Sequence, residues 1–137
     1  MSMALNAGNC KIDELHNRLW RYLPQEGPSY DTRLDVEGRL KNACMSRGNG
    51  TSPIDFYAKQ AEECLGRQYF LGAMVSCDLA YTHFATHCKS YSADACERAA
   101  KRLQEIQAIV CSALEKSHVT LKKHVRRNTE HRSKAFD

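Results

Sequence analysis

The stretch from Ser52 to Cys111 most constrains the fold, because three helical patterns follow one another there with clear start and stop signals. Ser52 can cap free backbone N–H groups, and Pro53 suits the first helical position, where no N–H is needed. Apolar residues then recur at helical spacing in two runs, separated by Gly66. The runs are Ile54, Tyr57, Ala58, Ala61 and Leu65, then Phe70, Ala73, Cys77, Ala80 and Phe84. Small residues on these faces predict a close antiparallel hairpin of helices 53–66 and 69–89.

A long amphipathic helix is predicted after this hairpin, capped by Ser92 and reaching from Ala93 past Ala113. Its apolar seam alternates spacings of three and four residues, which is typical of helical bundles. The seam comprises Cys96, Ala99, Leu103, Ile106, Val110 and Ala113. Two further helices are predicted upstream, over 11–23 and near 31–46. The Arg47-Gly48-Asn49-Gly50 segment is the clearest break, which makes 47–51 a candidate hinge.

The sequence predicts an all-α fold, an antiparallel bundle of about five helices with a basic C-terminal helix or tail. Few β-branched clusters and no sustained alternation of apolar and polar residues argue against a sheet. A chain of 137 residues can bury a core of its own in one domain. We expect a disordered N-terminus over 1–10, a bundle domain over 11–115 and a basic extension over 116–137.

Cysteine usage and the start of the chain favour an intracellular protein, cytoplasmic or nuclear. No basic segment followed by an apolar core begins the chain, and no apolar run approaches the roughly 18 residues that span a bilayer. Seven cysteines therefore indicate reduced thiols. Four of them, Cys64, Cys77, Cys96 and Cys111, fall in apolar stripes, where a thiol acts as a small hydrophobe.

No catalytic, metal or cofactor site is predicted. His83 and His87 stand one helical turn apart, with Cys77 shortly before them, but no second close pair of ligands accompanies them. Cys88, beside His87 and Lys89, is the best candidate for a nucleophilic thiol, yet no Asn or Asp that would orient a base can be placed from the sequence. Acidic residues are scattered along helix faces, and no glycine-rich loop with a following lysine is present. We therefore expect a protein that is not an enzyme.

Positive charge is concentrated at the C-terminal end. Seven of the 20 basic residues, against one of the 16 acids, lie between Lys116 and Lys134. This charge is compatible with phosphate contact, a nuclear-import signal or docking to an acidic protein. A helical continuation would suit phosphates across a nucleic-acid groove, without reading the base sequence. The candidate contact residues are Lys116, Lys122, Lys123, Arg126, Arg127 and Arg132.

The hairpin resembles known helical adaptors. The spacing of Tyr57, Ala61, Phe70, Ala73, Cys77 and Ala80 resembles a single tetratricopeptide hairpin. With the fifth helix as a third member, residues 54–112 are similar to a microtubule-interacting-and-trafficking three-helix domain. Gln60 and Ala85 depart from the tetratricopeptide pattern, which usually has leucine and proline there. Both resemblances imply a module that binds peptides or helices in grooves between its own helices.

The leading hypothesis for function is a non-enzymatic adaptor that binds a partner helix or peptide. The alternative is a sequence-independent binder of double-stranded RNA or DNA that uses the basic C-terminal helix. Tyr69, Tyr81 and Phe84 are the candidate partner-binding anchors, since large exposed aromatics dominate binding energy. Small residues expected to line the groove are Ala58, Ala61, Ala73 and Ala80.

A homodimer or hetero-bundle is also predicted from the long fifth helix. Its residues Leu103, Ile106, Val110 and Leu114 offer more apolar surface than one hairpin can cover. A second copy of the chain, or a partner helix, would bury that surface.

Overall fold

The protein is a bundle of five α-helices in a computed structural model, which describes the backbone of residues 3–136 and the side chains of residues 11–117. A short 3-10 turn, Cys88–Ser90, follows the fourth helix. The five helices are α1 Met3–Trp20, α2 Gly27–Met45, α3 Pro53–Gly66, α4 Phe70–His87 and α5 Ala93–Phe136. No strand occurs within residues 3–136, so the predicted all-α class is confirmed.

The helix boundaries at the hairpin follow the local chemistry of the sequence. The Ser52 hydroxyl accepts a hydrogen bond from the Asp55 N–H at 3.1 Å, and Pro53 begins α3. The Ser92 hydroxyl accepts one from the Ala95 N–H at 3.2 Å and caps α5. Between α3 and α4 the chain reverses through Gln68, whose φ of 59° lies in the left-handed region. The predicted caps and the bounds of α3 are therefore confirmed.

The α3–α4 hairpin forms the centre of the bundle, and α5 packs across both of its helices. The small residues of the hairpin face this core, which corrects the expectation that they line an open groove. Each is at most 1% exposed: Ala58, Ala61, Ala73 and Ala80. Small side chains here let the helix backbones approach closely, and they leave no room for a partner.

Helix α1 covers the long apolar seam of α5 within the same chain. Leu103, Ile106 and Val110 are fully buried and Leu114 is 6% exposed, with Ile12, Leu15 and Leu19 of α1 in the same core. Arg18 on α1 also pairs with Glu115 on α5. The uncovered surface from which a dimer was predicted is therefore absent from these residues. That reasoning was wrong because the sequence could not show which helix would pack on α5.

Helix α2 is the least buried of the helices whose side chains are described. It packs on α4 and on the edge of α3, and only Arg33 and Cys44 of its residues are buried. The Arg33 guanidinium lies 4.5 Å from the centre of the Trp20 ring and donates a hydrogen bond to the Pro24 carbonyl at 2.9 Å. This buried cation ties α2 to the turn that follows α1.

Two sequence-based predictions fall partly outside the described side chains. The first is the expected disorder over 1–10, and the second is the basic extension over 116–137, most of whose side chains are not described. Helix α1 begins at Met3, before the predicted start at 11, and ends at Trp20, before the predicted end at 23. Helix α5 begins at Ala93 as predicted, and its backbone continues past Ala113 to Phe136. Among the described residues, no helix has both the length and the apolar character that a bilayer crossing requires.

Candidate functional site

A concave region lies at one end of the bundle, and we call it the end cleft. It has a volume of about 550 Å³ and lies where the α2–α3 loop, the start of α3, the end of α4 and the start of α5 meet. It is lined by Arg47, Ser52, Pro53, Ile54, Asp55, His83, His87, Ser90, Tyr91, Ala95, Arg98 and Ala99. Four separate segments of the sequence thus contribute to one site.

Basic side chains dominate the polar lining of the end cleft. The imidazole rings of His83 and His87, one turn apart on α4, have centres 4.4 Å apart. Burial lowers the pKa of His83, and the neighbouring His87 and Arg47 lower it further. The lining holds two arginines, Arg47 and Arg98, against one carboxylate, Asp55, which favours an anion over a cation in the cleft.

The α2–α3 loop holds the Arg47 guanidinium in place. Its Nε donates to the Thr51 carbonyl at 2.8 Å, and its Nη1 donates to the Cys44 carbonyl at 2.8 Å. The loop is also closed by a hydrogen bond from the Thr51 N–H to the Gly48 carbonyl. These bonds orient Arg47 before any ligand arrives. The break predicted over 47–51 is thus a tied loop between α2 and α3.

The second concave region, the side groove, lies between α2, α3 and the start of α4. It has a volume of about 350 Å³ and is lined by Val36, Arg39, Leu40, Gln60, Cys64, Arg67, Tyr69 and Gly72. Val36 and Leu40 are half-buried, and Tyr69 is 45% exposed. An apolar floor with an exposed aromatic ring at its edge suits a large side chain from a partner.

The charged residues that line the side groove within the described chain are two exposed arginines, Arg39 and Arg67. Arg67 donates from Nε to the Glu63 backbone carbonyl at 3.5 Å, and neither arginine forms an ion pair with a described carboxylate. Both cations therefore remain available to an acidic partner.

The three predicted aromatic anchors lie in three different environments. Tyr69 is on the rim of the side groove, as a partner-binding residue would be. Phe84 is only 4% exposed and belongs to the core, which corrects its assignment as an exposed anchor. Tyr81 is half-buried and lines neither concave region. Helical spacing places all three on α4 or beside it, but it does not show which surfaces other helices cover.

Tyr81 joins α4 to α1 rather than facing a groove. Its hydroxyl donates to the Asp13 carboxylate at 2.6 Å, and its ring stacks on that of His16 with centres 3.8 Å apart. Burial and the bond to Asp13 raise the pKa of Tyr81 to about 12. Burial also lowers the pKa of His16 and raises that of Asp78, whose carboxylate lies 3.9 Å from the imidazole. The cluster is half-covered and contributes to helix packing.

The four cysteines that the sequence places in apolar helical stripes are buried, as predicted. Cys64, Cys77, Cys96 and Cys111 are each 6% exposed or less, and burial raises the pKa of each thiol. Cys77 is enclosed in the core, with its Sγ facing the Ile106 carbonyl. Among the described residues, no three His, Cys, Asp or Glu side chains are grouped closely enough to hold a metal ion.

The predicted phosphate-contact residues lie mostly outside the described side chains. Lys116 is exposed on α5. The remaining candidates, Lys122, Lys123, Arg126, Arg127 and Arg132, belong to the residues whose side chains are not described. Their role stays a prediction from the sequence.

Comparisons with protein-family models, curated proteins and solved structures give no match for this chain. The resemblance to tetratricopeptide and microtubule-interacting domains therefore stays a prediction. The bundle geometry and the two concave regions are the basis for inferring function.

Sequence reasoning missed most residues of both concave regions. Arg47 and Arg98 are 51 positions apart in the sequence yet line the same cleft. A weak signal for the side groove was present in α2, where Val36 and Leu40 share a helix face with Arg39 beside them. Few other residues of α2 are buried, so this apolar pair could have indicated a second binding surface.

Proposed function

We propose that this protein is a non-enzymatic helical adaptor whose side groove binds a short peptide or helix from a partner protein. The partner segment carries one large apolar side chain flanked by acidic residues. The observation that supports this proposal is the pairing, in one groove, of an apolar floor with arginines that lack acidic partners among the described residues.

The size of the groove suits a side chain better than a whole cofactor. Its volume of about 350 Å³ is near the lower end of the range found for small-molecule pockets. Val36 and Leu40 supply the apolar contact, and the exposed Tyr69 ring can cover the partner's apolar side chain from one side. Aromatic and arginine side chains in such a position commonly account for most of the binding energy of an interface.

Charge complementarity decides which peptide fits. Arg39 on α2 and Arg67 after α3 stand on different elements that line the groove, so acidic residues before and after the apolar anchor can each approach one guanidinium. Arginine pairs with carboxylates in a bidentate geometry, which fixes orientation as well as adding affinity. A basic peptide would meet two like charges and be rejected.

A phage-displayed library of 12-residue peptides, selected on the wild-type protein, tests the proposal. We expect selected peptides to combine an aromatic or aliphatic residue with neighbouring Asp or Glu. Fluorescence polarisation should then show that Tyr69→Ala, Arg39→Glu and Arg67→Glu each weaken binding at least about tenfold. The matched control is Lys101→Glu, an exposed charge reversal on α5 that lines neither concave region. Selected peptides without acids, or equal losses in the control, would contradict the proposal.

Nucleic-acid binding through the basic end is the second candidate function, because seven basic residues cluster between Lys116 and Lys134. A labelled DNA or RNA duplex is the probe for it. Binding should fall steeply as salt rises, because phosphate contacts release counterions, and truncation after Ser117 should eliminate it. Duplex binding that survives this truncation or ignores salt would rule out this second function.

A further inference from the structure

We propose that the end cleft binds a small phosphorylated molecule, with its phosphate group held among Arg47, Arg98, His83 and His87. This site shares no lining residue with the side groove. It therefore adds a ligand to the proposed adaptor function and is independent of it.

The charge of the cleft points to an anion. Two arginines and one aspartate, Asp55, line it, which leaves one net positive charge even when both histidines are neutral. Protonation of His83 and His87 would raise that charge further. A concave site with an excess of one sign of charge concentrates ligands of the opposite sign.

The two arginines can act on a phosphate in complementary ways. Arg47 is fixed by its bonds to Cys44 at the end of α2 and to Thr51 in the α2–α3 loop, and these leave Nη2 directed to no described acceptor. Arg98 lies on α5, about one helical turn after Ala95. It is exposed and forms no ion pair with a described residue. One guanidinium held in place and a second without an ion pair can together donate hydrogen bonds to several phosphate oxygens.

The starts of two helices add to the same electrostatic preference. α3 begins at Pro53 and α5 at Ala93, and residues from the first turn of each line the cleft. The aligned peptide dipoles place partial positive charge at these ends. The serine caps already satisfy one N–H of each helix, so we assign the helix ends a supporting role only.

The remaining lining indicates that the phosphate belongs to an organic molecule. Pro53, Tyr91, Ala95 and Ala99 form an apolar wall beside the basic residues. The volume of about 550 Å³ falls within the range typical of small-molecule sites, and it greatly exceeds what one phosphate ion fills. A ring or short carbon skeleton esterified with phosphate would use both parts of the cleft.

Occupancy of the cleft should be visible in the titration of His83. Its imidazole shares the cleft lining with Arg47 from the loop, Asp55 from α3, His87 from α4, Tyr91 from the segment before α5, and Arg98 from α5. In the free protein, burial and the positive neighbours His87 and Arg47 lower the pKa of His83. A bound phosphate favours the imidazolium form, so it should move this pKa upward.

Phenyl phosphate is the probe, with phenol and inorganic phosphate as separate arms, followed by NMR of the histidine side chains in the full chain. We expect phenyl phosphate to shift the His83 and His87 signals, to raise the pKa of His83 and to bind more tightly than inorganic phosphate. Equal effects from phenol would mean that the cleft is only apolar. Equal affinity for inorganic phosphate would overturn the assignment to an organic ester, and no response to phenyl phosphate would overturn the site.

Charge-neutral variants separate the cleft from general surface charge. Arg98→Gln should weaken phenyl phosphate binding about tenfold or more, because a charge-assisted hydrogen bond is lost. Lys101→Gln removes the same charge from an exposed position of the same helix, outside the cleft, and should leave the affinity unchanged. Circular dichroism checks that both variants keep the wild-type helicity. Equal affinities in the two variants would overturn the proposal.

Discussion

At the scale of single residues, Gln107 is a buried polar side chain whose hydrogen bonds to the described residues are incomplete. Its side chain is fully buried between α5 and α1. The Nε2 atom donates to the Ile12 carbonyl at 3.2 Å, while Oε1 has no hydrogen-bond partner among the described residues. An unpaired buried acceptor costs free energy, about 1–3 kcal/mol in typical cases. Gln107 therefore helps to align α1 on α5 at some expense to stability.

Replacing this amide tests that balance. Gln107→Met keeps the length of the side chain and removes the unpaired oxygen, so the free energy of unfolding should stay constant or rise by about 1 kcal/mol. Gln107→Glu keeps the shape but buries a carboxylate without a cation, and it should lower stability by about 3 kcal/mol or more at pH 7. Urea denaturation followed by circular dichroism measures both. A loss of about 2 kcal/mol in Gln107→Met would show that the bond to Ile12 outweighs the orphan acceptor.

At the scale of helices, Gly72 sets how closely α3 and α4 approach. A Cβ atom on Gly72 would lie 2.6 Å from the Cys64 Sγ and 2.8 Å from the Tyr69 ring. Gly38 in α2 provides the opposite case, because a Cβ there would meet nothing within 4 Å. The same substitution in two helices thus separates helix propensity from helix packing.

Alanine at the two positions should have effects of opposite sign. Gly38→Ala should stabilise the protein by about 0.5–1 kcal/mol, because glycine is the weaker helix former. Gly72→Ala should destabilise it by about 1–3 kcal/mol, because Cys64 or Tyr69 must move to make room. Thermal unfolding of both variants and the wild type provides the comparison. A stabilised Gly72→Ala variant would mean that α3 and α4 can separate without loss.

At the scale of the whole molecule, thiols from four helices are buried in the same core, so their reactivity can show when that core opens. Cys44 of α2, Cys64 of α3, Cys77 of α4, and Cys96 and Cys111 of α5 are all buried, while Cys88 is half-buried. A thiol must reach solvent and ionise before it reacts, and both steps are disfavoured in an apolar core. Thiol protection is therefore a measure of how cooperatively the bundle opens.

Pulse alkylation with iodoacetamide, read by mass spectrometry across a urea gradient, should show this cooperativity. In native buffer Cys88 should be modified faster than the five buried thiols. The buried thiols should all become reactive at the urea midpoint found by circular dichroism, because small bundles of this size usually unfold in one step. Modification of Cys44 at lower urea than Cys77 would instead show that the lightly packed α2 opens separately.

The helices could be predicted because their ends are decided by neighbouring residues. Ser52 and Pro53 begin α3, Ser92 caps α5, and Gly66 ends α3, all through contacts within a few positions. The burial of Cys77 and Cys111 followed from helical periodicity in the same way. Tyr69 was placed correctly at the surface because it lies at a helix start, between the two apolar runs.

The binding regions could not be predicted because they depend on how helices are arranged in space. Periodicity shows that a helix has an apolar face, but not which element covers it. Thus α1 covers the α5 seam on which a dimer was predicted, and Phe84 packs in the core instead of on a surface. The residues of the end cleft come from four segments, and no local pattern links Arg47 to Arg98.

Local sequence therefore dictates that this chain forms helices, where α3 and α5 begin, and which thiols face inward. Those features depend on backbone capping and on the 3.6-residue repeat, which act over short distances. The tertiary packing alone decides that the arginines and histidines of the end cleft meet, and that Val36, Leu40 and Tyr69 share one groove. Those associations arise from burying apolar surface across the whole bundle, and that driving force has no preferred partner within the sequence.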